Sequence, residues 1–175
     1  MSKLIIVCGL PGSGKTTLAK ELAQRLNMAV FHKDEMKEIL YDHFAGNDLE
    51  DSKKYGLAAL VLLFHLAEQH VRSGIDIILE APFYFEKDWE RFCSWQEQYG
   101  VEVKTIMCDI DWKERAKRIQ HRPRHRAHHD VDRSLCSQDH PSCRFDYARV
   151  APDALKIVTD RPVEELAGEI IEKIG

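Results

Sequence analysis

No apolar run in this chain approaches the length a membrane span needs. Met1-Ser2-Lys3 leads directly into the first apolar segment, so no signal or transit peptide is expected. The five cysteines, an odd number, never adopt C-x-x-C spacing, so they are expected to be reduced thiols in a cytoplasmic protein. Internal repeats, low-complexity tracts and linkers are missing as well. At 175 residues with 44% apolar side chains, the chain suits one core of ordinary size. A single domain over 1–175 is the expectation.

An overall basic excess is also lacking. The net charge is −4, which makes a general nucleic-acid-binding surface the less favoured expectation. That balance hides an asymmetry, because eight Lys/Arg stand against three Asp/Glu between Lys113 and Arg133. A cationic stretch in an acidic body predicts one element that faces anions.

What the sequence does hold is Gly9-Leu10-Pro11-Gly12-Ser13-Gly14-Lys15-Thr16, followed by Thr17. It satisfies the phosphate-loop pattern G-x-x-x-x-G-K-[ST] at every defined position. Leu4-Ile5-Ile6-Val7-Cys8 before it has the apolar continuity of a buried parallel strand. Leu18, Leu22 and Leu26 after it repeat at helical spacing. Strand, glycine-rich turn and helix together predict a nest of main-chain amides at a helix N-terminus, suited to ATP. Lys15 is predicted to reach the β- and γ-phosphates, and the Thr16 hydroxyl to ligate Mg²⁺.

Further along, Met28 to Phe31 predicts a second strand and Glu35 to Phe44 a helix. Asp34 falls between them, at the strand edge where open α/β sheets bind ligands. A helix N-cap is the alternative role there, and position alone leaves both open. A long helix is predicted over 52–73, and a third strand over 75–80. Glu80 closes that strand as an acid that could hold Mg²⁺ through water. Ala81 to Phe85 forms an aromatic turn on the same edge, readable as a substrate wall through Phe83 or as core packing. A helix over 86–98 carries Trp89, Phe92 and Trp95 at core spacing. Val101 to Cys108 is a fourth strand, Ala154 to Val158 a fifth, and Val163 to Ile174 an amphipathic closing helix. Alternation of this kind predicts a three-layer α/β/α sandwich with a mainly parallel five-stranded sheet.

Residues 112–150 read as a lid subregion. Asp111 starts its helix, Pro123 ends it, and Arg115, Arg118 and Arg122 lie at i, i+3 and i+7 on one stripe. With Arg124 in the basic loop beyond, they are expected to face phosphate. His125, His128, His129, Cys136, His140 and Cys143 crowd the same loop, but their spacings match no familiar zinc pattern.

No N-K-x-D guanine motif follows a late strand, which argues against a GTPase. The phosphate loop, Asp34 with Lys37, Glu80 and the arginine-rich segment together resemble small P-loop kinases. The likeness is to the group that includes the polynucleotide kinase 5′-kinase domain, chloramphenicol phosphotransferase and zeta toxins, and it spans essentially the whole chain. It implies that Asp34 takes the proton of an attacking hydroxyl, Lys37 holds the acceptor and the lid arginines cover the transferring phosphoryl group. Lys37 stands where the polynucleotide-kinase pattern has Arg, and a lysine lacks the bidentate fork for phosphate. A hydroxyl-bearing small molecule is therefore favoured over a polynucleotide end as acceptor, with a nucleotide-binding switch as a further alternative. The expected state is a monomer or homodimer.

Overall fold

The computed structural model describes residues 2–123, 125–129 and 145–175. Strands and helices alternate along it: β1 (Lys3–Gly9), α1 (Lys15–Leu26), β2 (Ala29–His32), α2 (Lys33–His43), α3 (Leu49–Arg72), β3 (Ile77–Glu80), α4 (Glu86–Tyr99), β4 (Glu102–Asp109), α5 (Trp112–His121), the short α6 (Tyr147–Val150), β5 (Leu155–Val158) and α7 (Val163–Ile174). The sheet runs β2-β3-β1-β4-β5, and all four pairings are parallel. The predicted five strands are present and the sheet is fully parallel, a three-layer P-loop NTPase architecture.

β1 sits at the centre and is buried on both sides, which explains its uninterrupted apolar run. Leu4, Ile6 and Cys8 pack with Leu63 and Phe64 of α3 and Trp89, Phe92 and Trp95 of α4. Ile5 and Val7 face the opposite way, toward Leu18 and Leu22 of α1 and Leu166 and Ile170 of α7. The helix following β1 and the helix following its neighbour β3 therefore lie on opposite faces. Between the carboxyl ends of those two strands a crevice must open, and ligands bind there in open α/β sheets.

Several boundaries differ from the predicted ones for local reasons. β2 runs into α2 without a loop, because His32 is both the last strand residue and the extended N-cap of the helix. Asp34 consequently lies inside the first turn of α2 and is not its N-cap. α3 begins at Leu49, where the Asp48 side chain accepts a hydrogen bond from the Asp51 amide at 2.8 Å. Ile75 stays outside β3 and is half exposed.

Candidate active site

Gly9, Gly12 and Gly14 carry φ angles of 137°, 80° and 83°. A Cβ on Gly9 would stand 2.3 Å from the Cys108 carbonyl oxygen of β4, so no side chain fits where the loop leaves the sheet. Gly14 is the left-handed N-cap of α1 and gives it no side-chain cap, and the first turn holds no acidic residue. The leading amides of α1 and its positive dipole end thus meet the crevice without an acid of the helix's own first turn to occupy them, which suits an anion-binding helix terminus.

Three groups converge on the Glu80 carboxylate at this helix end. Lys15 Nζ is 3.7 Å from Oε1, and the two residues are 6% and 2% exposed. The Thr16 hydroxyl donates to Oε2 at 3.3 Å, and His32 Nδ1 donates to the same oxygen at 2.9 Å. The register sets His32 beside Glu80 and Glu80 beside Val7, so the final residues of β2 and β3 meet here next to β1. Thr16 and Glu80 are hard oxygen donors on one side of the loop, the donor type Mg²⁺ takes. Beneath the loop, burial pushes the Cys108 thiol up to about 12 and the Cys8 thiol higher still. Both are free and stay protonated, as expected for reduced cysteines.

A cleft of about 770 Å³ opens over this end and extends past α2. That volume lies in the range of small-molecule and cofactor sites. Pro11, Gly12, Gly14, Lys15, Thr16, Thr17, Asp34, Lys37, Glu80, Arg118 and Arg122 all line it. Most residues expected from the sequence are therefore brought together, while Gly9, Leu10 and Ser13 form the back of the loop. Asp34 is partly exposed in the cleft wall, with Lys33 Nζ 3.4 Å from its Oδ1. Lys37 is 5% exposed and donates from Nζ to the Ser52 hydroxyl at 2.8 Å. Ser52 in turn donates to the Ala127 carbonyl at 2.8 Å.

Two expectations need correction. Phe83 is no part of the cleft wall. It adopts a left-handed φ of 46°, and its buried ring packs 5.2 Å from Phe92 and 6.1 Å from Phe64. The following residue, Tyr84, lines the cleft instead. Arg115 is buried and lies against Gly12 from behind the loop, so it is separated from the Arg118 and Arg122 that reach the cleft. Arg124, Cys136, His140 and Cys143 lie outside the described residues. Among the described residues, His125, His128 and His129 join no group of three metal-ligating side chains. They sit on α2: His128 Nε2 donates to Glu38 at 2.7 Å, and His125 Nε2 to Asp42 at 3.0 Å. Arg126 adds a second bond to Asp42, and that hydrogen bond, ahead of the one from His125, holds the Asp42 carboxyl below the usual carboxylate range.

Sequence reasoning missed His32 and Thr159. Thr159 directly follows β5, and its hydroxyl donates to the Ser13 carbonyl of the loop at 2.7 Å. Its own carbonyl accepts from an Arg118 guanidinium nitrogen at 2.7 Å, which ties α5 to the loop through the end of the last strand. The available signal was positional: both residues stand at carboxyl ends of strands, on the edge where an α/β sheet binds.

Comparison with known proteins agrees with this fold. A family model described as an AAA domain matches residues 4–138. A kinase candidate of solved structure from Chloroflexus aurantiacus is 26% identical, with a TM-score of 0.81, covering 99% of this chain and 96% of that one. An APS kinase of Mycobacterium tuberculosis, in complex with AMPPNP and APS, gives 18% identity, a TM-score of 0.64 and coverages of 99% and 97%. A shikimate kinase of Acinetobacter baumannii, in complex with shikimate, gives 14%, 0.55, 99% and 93%. At those identities the last two show shared fold.

Proposed function

The chain belongs to the AAA-domain family matched over residues 4–138, and on that premise we propose that it is an ATP-dependent kinase acting on a hydroxyl of a small-molecule acceptor. The observation that carries the reading is one cleft lined both by Lys15 and Thr16 of the phosphate loop and by the carboxylate of Asp34. The kinase candidate from Chloroflexus aurantiacus, similar over nearly the whole of both chains, supports it.

In this mechanism the loop amides and Lys15 hold the β- and γ-phosphates of ATP. Asp34, in the wall of the same cleft, accepts the proton of the acceptor hydroxyl as the hydroxyl oxygen forms a bond to the γ-phosphorus. The bond from that phosphorus to the β-bridging oxygen breaks, and ADP leaves with the electron pair. Thr16 and Glu80 are the residues that would hold Mg²⁺, which supplies neutralisation of phosphate charge. Arg118 and Arg122 bring guanidinium charge to the transferring group, which stabilises a loose transition state. Lys37, fixed by Ser52, lies along the cleft from Asp34 and binds the acceptor. Positioning and charge neutralisation are the main demands of phosphoryl transfer, and this cleft provides both.

The acceptor end mixes Lys33 and Lys37 with Asp34, Glu35, Glu38 and Tyr84. Alternating charge of this kind suits a polar, polyhydroxylated small molecule better than a phosphate backbone. The test is transfer from labelled ATP across sugars, nucleosides, hydroxylated antibiotics and short oligonucleotides. With an acceptor in hand, Asp34→Asn is expected to lower kcat by about 10²- to 10⁴-fold and leave nucleotide affinity within about twofold. Equal loss of transfer and nucleotide binding would remove Asp34 from the base role.

A further inference from the structure

His32 is the buried polar residue of the cleft that neither phosphate binding nor acceptor binding accounts for. It is 4% exposed and lines the cleft, and its Nδ1 lies 2.9 Å from Glu80 Oε2. Its other ring nitrogen, Nε2, is buried with no hydrogen-bond partner among the described residues. A side chain kept only to fill this space could be apolar and leave no orphaned nitrogen. The orphan at Nε2 is the cost of keeping a donor at Nδ1.

Among the described residues the Glu80 carboxylate has three partners, and two of them have other work. Lys15 stands 3.7 Å from Oε1 and the Thr16 hydroxyl 3.3 Å from Oε2. On the kinase reading above, on which this inference rests, Lys15 turns to the phosphates and Thr16 to the cation. His32 alone of the three has no such second task. Moreover, its bond goes to Oε2, the same oxygen that faces Thr16. A carboxylate free to rotate would carry that oxygen away from the cation position.

We infer that His32 is a positioning residue, whose Nδ1–H keeps Glu80 oriented toward the divalent cation once Lys15 and Thr16 have left it for the nucleotide. The fold gives His32 little freedom to do otherwise. It ends β2 in register with Glu80 on β3 and caps α2, so its backbone is fixed from both sides. Hydrogen-bond partners of this kind, one step removed from a metal, affect affinity by about 10- to 100-fold.

Three variants separate orientation from packing. His32→Asn keeps an amide N–H near the place of Nδ1. His32→Leu fills similar volume without a donor, and His32→Gln moves its amide out toward the Nε2 position. The reading is Mn²⁺ affinity in the presence of saturating AMPPNP, by calorimetry, beside AMPPNP affinity in EDTA. His32→Leu and His32→Gln are expected to weaken Mn²⁺ binding by about 10- to 100-fold, and His32→Asn to stay within about threefold of wild type. Metal-free nucleotide binding should be the same in all four proteins. Wild-type Mn²⁺ affinity in His32→Leu or His32→Gln overturns the inference, and so does an equal loss in all three variants. A wild-type protein that fails to bind AMPPNP with or without metal overturns the kinase reading itself, an outcome distinct from both.

Discussion

Two buried lysines face the same cleft and are held in opposite ways. Lys15 meets a carboxylate at the end of a central strand and leads a helix out of a loop built from neighbouring residues. Lys37 meets a neutral hydroxyl on α3, which itself depends on the carbonyl of Ala127. The first arrangement is nearly local in sequence and rests on the most buried part of the sheet. The second is assembled from three distant segments, so its geometry depends on how α2, α3 and the segment at 125–129 lie against one another. On the proposed reading, one fold thus supplies a fixed end for the phosphates that kinases share and an adjustable end for the acceptor that differs.

Substitutions at the two ends should therefore fail differently. Lys15→Ala is expected to have the largest effect, lowering phosphate transfer by about 10³-fold or more, because the cation acts on developing charge in a water-poor site. Steady-state kinetics with the acceptor found by the transfer screen reads it. Full activity would break the distinction at its stronger side. Ser52→Ala is expected to raise the acceptor KM about tenfold, the effect of one hydrogen bond to a charged group, with the KM for ATP unchanged. A shift in the ATP constant instead would mean that the two ends are not separable.

A smaller effect sharpens the same contrast away from the cleft. Glu80 is buried among three donors, whereas Asp88 of α4 is 6% exposed and its Oδ2 has no partner among the described residues. Burial pushes the Asp88 carboxyl from 3.8 up to about 6, against the opposing effects of the hydrogen bond involving the Phe85 backbone and of Arg91. An acid raised in this way holds its proton more tightly in the native state than in the unfolded one. Native stability therefore falls as pH rises through the window from about 4 to about 6. Asp88→Asn is expected to be more stable than wild type at pH 8, by on the order of 2 kcal/mol, with the difference closing by pH 4. Denaturant titrations of both proteins at the two pH values measure it, and a gap independent of pH would refute burial as the cause.

The same contrast decides what could be read in the sequence. The phosphate loop, its strand and its helix were legible because their chemistry needs particular residues at fixed neighbouring positions, Gly9 through Thr16. Glu80 was legible as an acid closing an apolar strand. Arg118 and Arg122 were legible as a stripe, but Arg115 on that stripe turned out buried, since spacing gives a helix face and not what covers it. Thr159 could not have been found this way, because its bond to Ser13 joins residues 146 apart in the chain. Ser52 and His32 are similar cases. A serine on a helix and a histidine after a strand are ordinary until tertiary packing sets Lys37 or Glu80 beside them. Of the two readings left open for the aromatic turn, Phe83 takes the core one, and an aromatic residue gives no warning of the positive φ it adopts there.

That placement of Phe83 has a consequence for how the protein can change. The ring at 83 anchors the aromatic cluster, and its carbonyl receives the Trp89 indole N–H at 2.9 Å, so this position is committed to stability. Its neighbour Tyr84 lines the cleft, with its ring partly exposed and 4.7 Å from that of Phe85. On the proposed kinase reading, a change at 84 alters the cleft wall directly, while Phe83 goes on holding the aromatic cluster one residue away.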